Sequence, residues 1–277
     1  MNVTTPPTQT KAQRARGQVR VGFVADGATT RLRDLFQSGS AKAMLPRIHA
    51  GPPQVVLVNT AGGITGGDRF SYDISVSEGA SAIATSQTAE RIYRTPAGTG
   101  RVDTTLRVGA DARFDWLPQE TILFDGSGLD RRLRVEMAGS ARLLLCETIV
   151  LGRTAMGERV HTCQLNDQWR ILRDGRLCLA EALRLSGDVE AIRSGRWSLD
   201  GAAAFATVAY VGPDAEARIG QARDILADLD GVEAAASAWN GQLVLRCNAK
   251  KSVHLRDSLL TFLQRWRGES LPRVWHM

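Results

Sequence analysis

Hydrophobic and polar residues alternate along much of the chain, which is the pattern of half-buried β-strands. In "FSYDISV", Phe70, Tyr72 and Ile74 are expected on one face and the residues between them are polar. The valine-rich run "PQVVLVN", which ends at Asn59, predicts another strand. The glycine-rich stretch between these two, "NTAGGITGGDRF", is therefore expected to join one strand directly to the next.

A repeat follows this segment. Gly79, Gly109 and Gly139 lie thirty residues apart, each in a short turn between an alternating strand and a second strand. Self-similarity at this period predicts stacked strand–turn–strand units that bury their apolar faces on one another, as in a β-solenoid or a two-sheet stack. The alternative is that glycine-rich turns recur by chance in a sheet protein.

The pattern changes toward the C-terminus. Hairpins are predicted at Asp174-Gly175 and at Asn240-Gly241. Apolar residues then recur at helical spacing in a segment that starts at Pro213 and in "SVHLRDSLLTFLQRWRG", which Gly268 should end. The predicted fold is mostly β (α+β), with stacked β-sheets of repeated strand–turn–strand units and two helices in the C-terminal part.

The domain organisation expected from these patterns is simple. A flexible basic N-terminus covers 1–18, and a single β-rich domain covers 19–277, with a C-terminal strand–helix unit at about 203–277. A chain of 277 residues can bury a large core without disulfides or metals. No apolar run approaches the roughly 20 residues of a membrane span, and the N-terminus lacks the apolar block of a secretory signal. We therefore expect a cytoplasmic protein that does not bind a membrane.

Cysteine, histidine and charge exclude several kinds of site. The four cysteines are scattered and are predicted to be reduced core residues, and the four histidines lack the spacing of a zinc site. No tightly bound metal or permanent cofactor is therefore expected. The net charge is +6, which fits either nucleic acid or an acidic protein partner. Basic and acidic residues are interspersed and no aromatic RNA-binding motif is present, so a nucleic-acid partner is not expected.

The glycine-rich stretch has the glycine spacing of a phosphate-binding loop but not its chemistry. Asp68-Arg69 replaces the lysine and hydroxyl residue of that motif, and a strand rather than a helix follows. Nucleotide binding is therefore not expected here. The glycines are predicted to form a structural turn; they are Gly62, Gly63, Gly66 and Gly67.

Two carboxylates lie inside apolar strands. By alternation, Glu147 in "LLLCETIVLG" shares a face with Leu143 and Leu145, and Glu181 in "LCLAEALRL" has similar neighbours. A buried acid is usually paired. The residues alone leave three alternatives: a buried salt bridge with an arginine, general acid/base catalysis as in glycosidases, or metal contact through oxygen.

Five stretches together resemble the family of urease accessory proteins called UreD or UreH. They occur in order from about Val21 to the C-terminus: "LVNTAGGITGGDRF", "SQTAERIYRT", "WLPQETILFDGSGLDRRLRV", "LLLCETIVLGRTAMGE" and "LPRVWHM". The chain departs from the family pattern at two places. Thr60-Ala61 replaces a proline pair, and Glu90-Arg91 stands where the family often has a small or hydroxyl residue followed by lysine. The role of Glu90 is therefore open.

The resemblance implies a non-enzymatic, β-rich chaperone with two helices. It implies binding to urease apoprotein and to UreF-like and UreG-like accessory proteins, with nickel in transit toward the urease active site through an internal tunnel. By motif match, Asp68, Glu147 and Glu181 correspond to carboxylates associated with that tunnel. The alternatives from the residues are a carboxylate-dependent hydrolase on a β-solenoid and a basic nucleic-acid binder.

Overall fold

The structure is a computed structural model that describes residues 13–48, 50–153 and 157–277. The described chain is mostly β-structure, with three α-helices. The strands are β1 (Arg16–Asp26), β2 (Thr29–Gly39), β3 (Ala41–Met44), β4 (Gln54–Asn59), β5 (Arg69–Val76), β6 (Ser81–Ser86), β7 (Glu90–Ile92), β8 (Gly100–Val108), β9 (Arg113–Leu117), β10 (Thr121–Leu123), β11 (Ser127–Met137), β12 (Arg142–Leu151), β13 (Thr162–Arg173), β14 (Arg176–Asp188), β15 (Ala204–Val211), β16 (Glu233–Trp239) and β17 (Gln242–Ala249). The helices are α1 (Val189–Ser194), α2 (Ile219–Ala227) and α3 (Ser252–Arg267), followed by a short 3-10 helix, Arg273–His276.

The strands form two sheets. The first has seven strands in the order β14-β13-β11-β8-β5-β1-β2. The second has ten strands, ordered β16-β17-β15-β12-β9-β6-β4-β3, with β10 paired to β12 and β7 paired to β10. The predicted repeat is confirmed in this arrangement. The pairs β5–β6, β8–β9 and β11–β12 each give one strand to each sheet, and equivalent strands pair in parallel.

Two hydrophobic cores hold the layers together. One lies between the sheets and includes fully buried side chains such as Phe23, Ile74 and Phe114. The other lies between the second sheet and the C-terminal helices, where Leu259, Phe262 and similar residues of α3 pack. The middle of the second sheet is therefore covered on both faces, as is usual for parallel strands.

The two C-terminal helices and both predicted hairpins are confirmed. Gly268 ends α3 in the left-handed conformation with φ 68°. The start of α2 is later than predicted, because residues from Ala215 to Ile219 form backbone bonds to the third residue before them, as in turns, and not to the fourth. The six-residue α1 was not predicted, since so short a helix shows no clear periodicity.

The N-terminal boundary also differs from the prediction. Of the segment 1–18 predicted to be flexible, 1–12 lie outside the described residues, whereas Arg16, Gly17 and Gln18 belong to β1. Their backbone pairs with β2 on one side and β5 on the other, and this fixes them inside the first sheet, next to its edge strand β2.

All four cysteines are free thiols, three of them buried and Cys178 half-buried. Within the described residues, we find no helix with both the length and the apolar character needed to cross a bilayer.

Candidate functional site

A buried guanidinium between the sheets is bonded to two carboxylates. Arg131 donates to Asp167 through two bonds, Nε to Oδ1 at 3.0 Å and Nη2 to Oδ2 at 2.5 Å, and its Nη1 donates to Glu147 Oε2 at 2.6 Å. The three side chains are 8%, 5% and 7% exposed, respectively. Nη1 also donates to Thr121 Oγ1 at 3.2 Å. Such charge-assisted bonds are stronger than those between neutral groups.

Strand alternation places these groups in the interior. Arg131 lies directly opposite Asp167 in the parallel pairing of β11 with β13. Glu147 comes from β12 in the other sheet, and its Oε1 accepts a hydrogen bond from Trp116 Nε1 at 2.8 Å. The cluster therefore spans the gap between the two sheets, and the prediction that Glu147 shares the buried face of Leu143 and Leu145 is confirmed.

The charges in this cluster are coupled. Burial raises the pKa of Glu147 above its ordinary value, although Arg131 opposes the shift. For Arg131, burial acts against the charged form, but Asp167 and Glu147 overcome it and raise the pKa. The guanidinium therefore stays charged, and Glu147 is harder to ionise than a free glutamate.

Two cavities meet at this cluster. The first, of about 120 Å³, is lined by residues that include Glu90, Tyr72 and Gln119, and it can hold several water molecules. The second, of about 500 Å³, is more open and is lined by residues that include Glu181. Arg131 and Glu147 line both cavities. This ion pair therefore forms the partition between them.

The first cavity has an unusual carboxyl group in its wall. Glu90 Oε1 accepts a hydrogen bond from Asn59 Nδ2 at 3.1 Å, and burial raises the pKa of Glu90 to about 7. The pKa of Tyr72 is also raised, mainly by burial and to a smaller extent by the nearby Glu90. The Gln119 Oε1 atom accepts a hydrogen bond from Arg256 Nη1 at 2.6 Å. The buried Nε2 atom of Gln119 has no hydrogen-bond partner among the described residues. The cavity thus contains polar groups free to bond water or a ligand.

The second cavity carries Glu181 on β14. Its Oε2 accepts a hydrogen bond from Arg246 Nη2 at 2.5 Å, and its side chain is 18% exposed. Both Glu147 and Glu181 are therefore paired with arginines and also line a cavity, so the salt-bridge alternative and a role toward a ligand are compatible.

Asp68 lies elsewhere. It is 4% exposed, and its two oxygens accept backbone hydrogen bonds from Ala15 N at 2.8 Å and Thr65 N at 2.9 Å. It lines neither of the two cavities. These bonds tie the start of β1 to the glycine-rich turn and favour a structural role, and the assignment of Asp68 to a nickel path stays a prediction.

The geometry of the glycine-rich turn agrees with a structural function for its glycines. Gly62, Gly63 and Gly67 have positive φ angles of 78°, 153° and 89°. A Cβ atom on Gly66 would lie 2.0 Å from Thr95 Oγ1, too close for any side chain. The turn joins β4 to β5, as the alternation predicts.

The donor set limits what a metal could do here. The described part of the chain has no group of three or more histidine, cysteine, aspartate or glutamate side chains that could hold a metal ion. Isolated carboxylate oxygens bind a divalent ion more weakly than a complete ligand cage.

The residue pattern contains a signal for Arg131 and Asp167 that was not used in predicting the site. Arg131 lies between Leu129 and Leu133 on the inward positions of β11, and Asp167 lies between Leu165 and Trp169 on those of β13. The alternation that predicts burial of Glu147 predicts burial of these two as well.

Comparison with known proteins gives a consistent result. A family model described as "UreD urease accessory protein" matches residues 15–276. Among relatives named "Urease accessory protein UreD", that of Dinoroseobacter shibae is 51% identical over 96% of this chain and 94% of its own. Those of Cereibacter sphaeroides and Rhizobium leguminosarum bv. trifolii are 46% and 45% identical, covering 99% of both chains and 97% of both chains, respectively.

Proposed function

The chain belongs to the UreD family of urease accessory proteins, and we propose that within urease maturation it acts as a chaperone for nickel insertion. In this proposal the protein binds urease apoprotein in the cytoplasm, together with UreF-like and UreG-like accessory proteins. Nickel is cargo and not a resident cofactor.

One observation supports this proposal most strongly: two cavities meet at the buried carboxylate Glu147. A conduit must bind an ion well enough to admit it and weakly enough to release it. Spaced carboxylates offer such contacts in sequence, from Glu90 in the first cavity through Glu147 to Glu181 in the second. We propose that these three groups contact nickel on its way.

The partition requires a movement. A guanidinium in a cation path repels the ion, and Arg131 must therefore turn away from Glu147 while the ion passes. Its two bonds to Asp167 can hold the guanidinium during that step. Glu147 then becomes free to contact the ion.

The same geometry disfavours a hydrolase. In the structure Arg131 bonds both Glu147 and Asp167, so these two carboxylates do not form the unpaired acid and base that a glycosidase uses. We therefore propose that the chain has no catalytic activity of its own.

The experiment that tests the function uses urease expressed with and without this chain. The expected results are that the purified chain binds urease apoprotein and a UreF-like protein, and that deleting the chain lowers the nickel content of urease. If deletion leaves urease nickel unchanged and the purified chain binds neither protein, the proposed function is wrong. Turnover of glycans by the isolated chain would support the hydrolase instead.

A further inference from the structure

The edge strand β2 carries exposed apolar side chains. It ends the first sheet and pairs with β1 on one side, while its other edge pairs with no further strand in the described part of the chain. Leu32, Leu35 and Phe36 on this strand are 37%, 39% and 45% exposed. A long apolar edge strand is a template on which another chain can add a strand.

A bulge directs both leucines to the inner side of the sheet. The register changes from Gly22–Asp34 to Phe23–Leu32, and Arg33 is the extra residue. Opposed residues share a face, so Leu32 lies on the same side as the fully buried Phe23, and Leu35 on the same side as Val21.

The second sheet covers only part of this inner face of β2. Its edge strand at this end is β3, which has only four residues, against eleven in β2. We call the two inner side chains the edge surface; they are Leu32 and Leu35.

The surroundings of the edge surface are basic. From Arg16 to Arg47 the chain has six basic residues and two acidic ones. One of these acids, Asp34, is already paired with Arg33 at 2.5 Å, and the Arg20 guanidinium lies 5.7 Å from the centre of the Phe36 ring. An acidic partner complements this charge, whereas a second copy of the chain would bring like charges together.

A lipid surface fits this edge less well than a protein does. An anionic membrane could neutralise the basic residues and accept the apolar side chains. It would offer no regular set of donors and acceptors for the free backbone N–H and C=O groups along β2, which a strand supplies.

We propose that β2 is a docking edge to which a partner protein adds an extended segment with alternating apolar and acidic side chains. The apolar side chains of that segment cover Leu32 and Leu35, its acids face the surrounding arginines, and its backbone pairs with β2. This inference rests on the proposed function, because the partner used as the probe is urease apoprotein.

The experiment compares the binding of purified urease apoprotein to the wild-type chain and two variants. The double variant Leu32→Lys, Leu35→Lys should weaken binding at least about tenfold. The control Leu177→Lys changes a 56% exposed leucine on β14, the opposite edge of the same sheet, and should bind as the wild type does. Unfolding in urea then identifies a temperature at which all three chains are folded, because Leu32 and Leu35 are only 37% and 39% exposed.

Hydrogen exchange provides a second measurement on the unaltered protein. The β2 backbone amides should exchange more slowly in the complex than in the free chain. Equal binding by the wild type and the double variant, with unchanged β2 exchange, would overturn the docking edge alone. A wild-type chain that fails to bind apoprotein would overturn the proposed function, and this inference with it. If the double variant binds apoprotein normally but no longer self-associates, the edge binds a second copy of the chain instead. If it loses only binding to phosphatidylglycerol vesicles, the edge binds a lipid surface instead.

Discussion

The substitution Glu147→Gln separates the structural role of this carboxylate from a role in nickel transfer. The amide keeps the size of the side chain but has one oxygen in place of two. It can therefore accept a hydrogen bond from Trp116 or from Arg131, and one of the two bonds that Glu147 makes is lost. One hydrogen bond to a charged group contributes about 1.5–3 kcal/mol. Because burial raises the pKa of Glu147, removing its charge recovers part of that loss. We expect the free energy of unfolding at pH 7 to fall by about 1–2 kcal/mol.

Alanine at the same position should behave differently. Glu147→Ala removes both bonds and leaves a void, although Arg131 retains its two bonds to Asp167. Loss of one partner of a buried pair costs about 3–5 kcal/mol. A matched control is Asp103→Asn, which makes the same change from carboxylate to amide in a pair with Arg101 on the protein surface. It should change stability by less than about 1 kcal/mol.

Two measurements on each variant decide the outcome. Urea unfolding reports stability, and the nickel content of urease matured with the variant reports transfer. If Glu147 contacts nickel, Glu147→Gln lowers urease nickel at a temperature where the variant is fully folded, and Asp103→Asn does not. A folded Glu147→Gln chain that matures urease to the wild-type nickel content would refute the role of this carboxylate in the path.

Three further predictions concern other residues. Since the folded pKa of Glu90 is about 7 against an ordinary value of 4.5, its ionisation should remove up to about 3 kcal/mol of stability as pH rises from 4.5 to 7. In urea titrations the stability of Glu90→Gln should therefore fall less over this range than that of the wild type, and equal slopes would contradict the raised pKa of Glu90. Asp68→Ala should lower the free energy of unfolding by about 2–3 kcal/mol through its two backbone bonds, whereas lower urease nickel at unchanged stability would place Asp68 in the path. Gly66→Ala should lower Tm more than Gly62→Ala does, because a Cβ atom at position 66 would lie 2.0 Å from Thr95 Oγ1. At Gly62 a Cβ atom meets no other atom, and only the positive φ of 78° opposes alanine, at a cost of about 1–2 kcal/mol. The reverse order of Tm would show that the turn adapts to Gly66→Ala.

Local rules predict much of the fold because the repeating unit is short. A strand, a glycine turn and a second strand recur every thirty residues, and parallel stacking of equivalent strands follows from that period. The start of α2 after a series of turns could not be predicted in the same way. Pro213 is compatible with both a helix start and a turn, and the choice depends on packing against the second sheet.

The site is likewise predicted only in part from local sequence. Alternation predicts that Glu147 is buried, and it could equally have shown that Arg131 and Asp167 are. It cannot show which acid pairs with which arginine, because the pairing depends on sheet register and on the gap between the sheets. The position of Asp68 beside a turn is evident from the sequence. Its hydrogen bond from the backbone of Ala15 cannot be predicted in the same way, because the two residues are 53 positions apart.

The ion pair between Arg131 and Glu147 affects how nickel would pass from one cavity to the other. A carboxylate buried alone would be protonated or would bind the first cation strongly, and either outcome stops transfer. Arg131 neutralises Glu147 through one bond, and its two bonds to Asp167 hold the guanidinium in the cluster when the bond to Glu147 breaks. The energy needed to free Glu147 is then roughly that of one charge-assisted bond, about 1.5–3 kcal/mol, which thermal motion can supply. Replacing Asp167 should therefore slow transfer even though this carboxylate need not contact nickel, because Arg131 would then have Glu147 as its one carboxylate partner in the cluster and would leave it less readily.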